Sequence, residues 1–238
     1  MGAHIENVAD VLADLAAKGL LTSDHALNHC FGLPDQTWEL IERSGAAVNL
    51  CPRSDAAFGL GSGFPPVDQA RAAGIVPGLS GDNEISYGLS MFTEMQTLLS
   101  KHRGHVFGRI MIGEQNPPDQ LAPSDVLRFA TLGGAANAGL SHKVGSLTPG
   151  KEADIALIRT TDLNTAPGTN AVATVTAFAH AGNVDTVLVA GQVRKWRGKL
   201  TGHDMNAVAA QVLASRDYLF AARGQRADAL ADAGTSPL

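Results

Sequence analysis

Short apolar runs alternate with amphipathic ones from Ala26 to Gly139, and this alternation most constrains the fold. Ala26–Cys30, Ala46–Cys51 and Ile75–Leu79 read as strands. Between them Pro34-Asp35 opens a helix carrying Trp38, Leu40 and Ile41 and stopped by Gly45, and a shorter helix runs from Val67 to Ala73. After the third strand, Leu89, Phe92, Met95, Leu98 and Leu99 recur at helical spacing, and Ser124-Asp125 open another helix through Val126, Phe129 and Leu132. Ile5, Val8, Leu12 and Leu15 place a helix ahead of the first strand, with Lys18-Gly19 as its stop. Strands joined through helices over short connections specify a parallel sheet with helices packed outside it, the α/β class. A closed barrel of this kind takes eight strands. The pattern supplies too few, so it predicts part of a (β/α)8 barrel rather than a whole one.

The texture changes after Gly145. Asp154–Arg159 reads as a strand, and Asp185–Ala190 with Gln192–Trp196 reads as a hairpin around Gly191. A last amphipathic helix is predicted from Asp204 to Arg223, with Val208, Val212, Leu219 and Phe220 turned inward. Three units follow: 1–143 as the barrel portion, 144–203 as a β-segment, and 204–238 as a helix and tail. Gly104 to Ala122 reads as a long loop, with His102 and His105 as a solvated pair beside it.

With 45% hydrophobic and 17% charged residues the composition is that of a globular protein. Lys and Arg are scattered through a chain of net charge −5, which argues against nucleic-acid binding. No apolar run approaches the roughly 18 residues that cross a bilayer. Met1–Glu6 lacks the basic and apolar regions of a signal peptide, and Cys30 and Cys51 form no CxxC pair. These features predict a cytoplasmic protein that binds no membrane.

The residues best placed for chemistry stand at strand C-terminal ends, where sheets of this class gather their sites. His29 closes the first strand and Asp82 follows the third. An imidazole and a carboxylate from different strands can share a divalent ion, but a strand-end histidine also occurs as a hydrogen-bonded core residue and an aspartate as turn chemistry. Spacing alone leaves both open. Gly59–Gly63 lacks the Lys-Ser/Thr of a phosphate loop and reads as a flexible loop beside the site.

Several segments narrow the choice. His29-Cys30-Phe31-Gly32-Leu33-Pro34-Asp35, Cys51-Pro52-Arg53-Ser54, Gly63-Phe64-Pro65-Pro66-Val67 and Leu79-Ser80-Gly81-Asp82 resemble the amidohydrolase superfamily. Val144–Asp154 is similar to its G-S-L-x-P-G-K-x-A-D segment, and Asn183–Gly191 to its V-x-x-V-x-V-x-G hairpin. Within the superfamily the likeness is to the cytosine-deaminase-like branch that includes the chlorotriazine hydrolases and S-adenosylhomocysteine deaminases.

The resemblance implies strands six to eight of a TIM-type barrel, followed by the C-terminal β-segment and helix of a composite β-sandwich. It implies His29 and Asp82 as ligands of one divalent ion, zinc or iron, with Asp82 also the catalytic proton shuttle. Arg53 and Glu84 sit on loops that face the site and, with Asp55, are candidates to contact a small-molecule substrate, surface salt bridges being the alternative for Arg53 and Glu84. The implied activity is hydrolysis of a non-peptide C–N bond, with deamination or dechlorination of a heterocycle as its forms.

The chain departs from the pattern in three places. The HxH pair after strand one and the histidine after strand five have no counterpart here, and His4 precedes a helix rather than closing a strand. Where many deaminases of the branch carry a histidine before C-P-x-S-N, this chain has Leu50, and the final Asn is Asp55. The alternative is therefore a truncated, catalytically incomplete relative serving as a binding or scaffold remnant. In the resembled enzymes the β-segment joins N-terminal strands that are absent here, so Ile155–Arg159 and the hairpin are expected to expose unpaired edges, which predicts either a homo-oligomer or a chain that lacks its N-terminal portion.

Overall fold

The computed structural model describes residues 8–83 and 88–224. Ile5 and the other residues before Val8 lie outside them, as does Glu84. Helix α1 (Val8–Ala17) leads to strand β1 (Ala26–Asn28), helix α2 (Asp35–Ser44), strand β2 (Ala47–Leu50), helix α3 (Pro52–Phe58), helix α4 (Val67–Ala72) and strand β3 (Gly78–Leu79). The strands form a parallel sheet in the order β1-β2-β3, with Leu27 opposite Val48 and Leu50 opposite Leu79. The α/β expectation holds.

Alternation along β2 sets which face is covered. Val48 and Leu50 are fully buried, whereas Ala47 and Asn49 are half-buried. On the Asn49 side, Asn49 Nδ2 donates to Asn28 Oδ1 at 3.1 Å. The other face packs into a core that includes Trp38, Ile41, Val67, Leu98 and Val126. Helix α2 ends as expected at Gly45, whose φ of 72° is the left-handed cap that glycine adopts without a Cβ penalty. The third strand is shorter than the predicted Ile75–Leu79. The Ile75 N–H closes onto Ala70 O at 2.9 Å, and Pro77 has no N–H to give the ladder.

Helix α5 (Met91–Met111) corrects a larger expectation. The first part of the segment assigned to a loop, Gly104 to Met111, continues this helix, and His102 and His105 both lie on it. His102 is fully buried: Leu121 N–H donates to its Nδ1 at 3.2 Å, and its Nε2 lies 3.0 Å from Asp68 Oδ1. It is a core residue with both ring nitrogens occupied, not one of a solvated pair. Helix α6 (Pro123–Arg128) then runs through a π-turn at Phe129–Gly133 into α7 (Gly134–Asn137), whose Asn137 Nδ2 donates to Val48 O at 2.9 Å.

The later residues form an antiparallel sheet of β4 (Ile155–Ile158), β5 (Val184–Val189), β6 (Gln192–Trp196) and β7 (Lys199–Leu200), in that order. A short helical stretch, α8 (Ala171–Ala173), precedes a π-turn at Thr174–Phe178. Helix α9 (Met205–Ala222) starts where Asp204 accepts from the Asn206 and Ala207 N–H groups. The inward turn expected of its apolar residues is not found. Val208, Val212 and Leu219 are exposed, and no residue of α9 is buried. Cap and helix propensity form it, but nothing among the described residues covers its apolar side.

Cys30 and Cys51 are buried free thiols, and burial pushes both up to about 12. Almost no thiolate exists near neutral pH, and thiolate is the reactive form. Ellman's reagent at about pH 8 is expected to titrate neither cysteine in the native protein and both after unfolding.

Candidate active site

His29 comes directly after β1, and its N–H still extends the ladder by donating to Asn49 O at 3.0 Å. Its φ is +65°, followed by +55° at Cys30; beyond β3, Asp82 has +62°. These are three of the six non-glycine residues with positive φ among those described. Such conformations cost energy and persist where the surroundings hold them, which is common at functional sites.

The holding element went unread in the sequence. Helix α3 follows β2 with only Cys51 between, and Pro52 stands at its first position, where a missing N–H costs nothing. Its first turn points three side chains at three different partners. Asp55 Oδ1 lies 2.8 Å from His29 Nδ1. Ser54 Oγ donates to Asp82 Oδ2, whose own N–H donates to Ser80 Oγ at 3.0 Å. Arg53 Nε donates to Glu94 Oε1 at 2.6 Å, and its Nη2 to Gly88 O at 2.9 Å.

Burial separates these residues. Asp55 is fully buried, and its Oδ2 has no hydrogen-bond partner among the described residues. Burial holds its carboxyl above the usual range despite the opposing pull of His29. The hydrogen bond to Asp55, and then the charges of Asp55 and Asp82, raise the pKa of His29 against its own partial burial. The Arg53 guanidinium is engaged by the fully buried Glu94. Asp55 and Arg53 are thus placed against other parts of the chain, while Glu84 falls outside the described residues. Leu50, at the position where the resembled deaminases carry histidine, is a fully buried core residue.

Two donors stay open at the strand ends. His29 Nε2 and the Asp82 Oδ1 make no hydrogen bond among the described residues, and the two side chains are near enough for the Asp82 charge to act on the imidazole. One imidazole nitrogen and one carboxylate oxygen suit a zinc-type ion. A catalytic zinc takes three protein ligands, and no group of three or more His, Cys, Asp or Glu gathers among the described residues. The pair fits a metal as part of a ligand set.

A cavity of about 390 Å³ adjoins this end of the sheet, lined by Phe31, Gly61, Phe64, Asp68 and His105 among others. Phe31 stacks loosely on His29, and Phe64 on His105 with ring centroids 4.4 Å apart. Gly61 is required there, since a Cβ would lie 1.9 Å from the Phe31 ring. A larger cavity of about 580 Å³, lined by residues of α2 and α4, touches none of His29, Asp55 and Asp82.

A model of the amidohydrolase family matches residues 2–194. The chain belongs to the amidohydrolase family. It is 32% identical over 216 residues to a 5-methylthioadenosine/S-adenosylhomocysteine deaminase of Teredinibacter turnerae, covering 89% of this chain and 46% of the relative. A deaminase of the same description from Desulforudis audaxviator is 34% identical over 185 residues, covering 76% and 40%. The chain thus spans less than half the length of these curated relatives. Among solved structures, a zinc-bound adenosine deaminase from Xanthomonas campestris superposes with a TM-score of 0.74 at 26% identity, over 90% of this chain and 48% of that one. A zinc complex of the atrazine chlorohydrolase of Arthrobacter aurescens shares the fold, with a TM-score of 0.65 at 22% identity over 84% and 42%. The amidohydrolase resemblance is shown. No described helix is long and apolar enough to cross a membrane.

Proposed function

We propose that this amidohydrolase chain carries strands six to eight of a TIM-type barrel and hydrolyses a non-peptide C–N bond of a small heterocyclic substrate. Deamination is favoured over dechlorination because the curated relatives quoted above are described as deaminases. In this reading residues 1–143 are the barrel portion, 144–203 the β-segment of a composite small domain and 204–238 its helix and tail. Association, as a homo-oligomer or with a preceding stretch of polypeptide, would cover the outer edges of β1 and β3 and the apolar side of α9. A cytoplasmic location agrees with the two free thiols.

The observation that carries the reading is the pair of open donors at two strand ends, His29 Nε2 and the Asp82 carboxylate. They would hold one divalent ion, zinc or iron, together with ligands from beyond the described residues. When bound, such an ion supplies a hydroxide nucleophile near neutral pH by lowering the pKa of its water. Asp82 is the proton acceptor, its free oxygen turned from Ser54. Arg53 and Asp55 act through the groups they bond, and Glu84, the remaining candidate for substrate contact, lies outside the described residues.

A second reading is favoured by the count of donors: a chain with two ligands is a catalytically incomplete relative that binds or scaffolds. Equilibrium dialysis against zinc separates the two. The first expects about one ion per chain, with binding weakened at least tenfold in both His29→Ala and Asp82→Ala. Three proteins alike, all without zinc, would establish the second.

A further inference from the structure

We infer that Asp55 is a positioning residue for His29: its buried carboxylate accepts the Nδ1 proton and fixes the imidazole as the tautomer with Nε2 bare. Three observations converge on this. The contact is 2.8 Å, within hydrogen-bond range for a ring nitrogen and a carboxylate oxygen. Asp55 is fully buried, so no solvent competes for the Oδ1 that faces the ring. Its backbone is fixed by the first turn of α3, where the Asp55 N–H donates to Cys51 O at 2.8 Å.

The tautomer decides what His29 can do. A neutral imidazole offers one N–H and one lone pair, and which nitrogen carries which is set by the partner of the other. With Nδ1–H directed to Asp55, the lone pair sits on Nε2, the nitrogen left open. The neighbouring residue acts in the same way on the other donor: Ser54 Oγ occupies Asp82 Oδ2 and leaves the second oxygen free. One helical turn thus orients both strand-end donors, the kind of support that ligand-bearing side chains require. In the resembled branch this position is Asn, whose carbonyl oxygen can also accept from Nδ1–H. The chain therefore keeps the acceptor and adds a charge.

The geometric inference stands without a metal; its importance for binding rests on the proposed role of His29. The test reads both separately. Long-range ¹H–¹⁵N correlation spectra of histidine-labelled protein, recorded above the titration of the ring, report each nitrogen, with the His29 signals assigned by their loss in His29→Gln. In the wild type, Nδ1 is expected at the position of a protonated nitrogen and Nε2 at that of a bare one. Asp55→Asn is expected to preserve this pattern, and Asp55→Ala to give a mixture of tautomers. Zinc affinity should fall about tenfold or more in Asp55→Ala and change less than about threefold in Asp55→Asn. A wild-type ring protonated at Nε2, or an unchanged pattern in a folded Asp55→Ala, overturns the inference. Should Asp55→Ala fail to fold, the wild-type spectrum alone decides. The expected tautomer with zinc binding indifferent to His29 would leave Asp55 as the positioning residue and overturn the metal reading instead.

Discussion

Gly133→Ala is expected to cost on the order of 3 kcal/mol or more, while the same change one residue on, Gly134→Ala, stabilises by about 0.5–1 kcal/mol. Both glycines have ordinary helical dihedrals, φ −63° and −60°, so neither is needed for conformational freedom. They differ in what a methyl group would meet. A Cβ on Gly133 would lie 2.0 Å from Pro77 O, 2.7 Å from its carbonyl carbon and 3.0 Å from Gly78 N. These are backbone atoms entering β3 and cannot rotate aside as a side chain would. Accommodating the methyl means moving α7 off the sheet or displacing the strand that leads to Asp82. A Cβ on Gly134 has its nearest neighbour, Phe129 O, at 3.9 Å, and only the gain in helix propensity remains. Against a typical total stability of about 5–15 kcal/mol, the first change removes a large fraction. Urea unfolding of the two variants measures it, and equal midpoints would show that the helix does not press on β3 as described.

The strand–helix order was legible because each element carries its own signal. Trp38 and Ile41 recur on one helical face, Gly45 stops that helix, and Val48 and Leu50 alternate with Ala47 and Asn49. Where the reading failed, the period was continued by residues of another chemical type. Met95, Leu98, Leu99, His102 and Val106 form one buried stripe along α5, but a histidine within it and glycines at 104 and 108 look like a break. The tertiary partners of His102, Asp68 and the Leu121 N–H, turn it into a core residue, and both are distant in sequence. Helix α9 failed in the opposite sense. Its apolar residues announce a buried face, and sequence cannot say whether the surface that buries it belongs to the same chain.

At the candidate site, His29 and Asp82 were legible because strand ends are where sheets of this class present side chains, and the surrounding motifs resemble a known family. Their supports were not. Cys51-Pro52-Arg53-Ser54-Asp55 reads as a loop next to the site, yet Pro52 starts a helix there and its first turn aims each side chain at a separate element. Pro52 at a helix start was the available signal. Asp55 and Arg53 therefore looked like groups turned toward a substrate, because their partners His29 and Glu94 are 26 and 41 positions away.

Glu94→Ala is expected to destabilise by about 3–5 kcal/mol, and pairing it with Arg53→Met should recover more than half of that loss. Glu94 is fully buried, accepts from Arg53 Nε at 2.6 Å and from the Arg53 backbone N–H at 3.3 Å, and lies on the face of α5 turned to α3. Burial holds its carboxyl above the usual range although Arg53 pulls the other way, so desolvation outweighs the attraction. Buried ion pairs of this kind are often worth no more than apolar residues of similar volume. Removing the carboxylate alone is a different matter, because it leaves a guanidinium largely shut from water with Gly88 O as one remaining partner. Removing both charges and keeping apolar volume abolishes that penalty. If the double variant is no more stable than Glu94→Ala by urea unfolding, the loss lies in packing rather than in the guanidinium's lost carboxylate. The site separates these causes further. Arg53 ties Gly88, six residues beyond Asp82, to the turn that holds Asp82 through Ser54. The double variant is therefore expected to regain stability while binding zinc more weakly than the wild type, since its charge balance is restored but the tether is not.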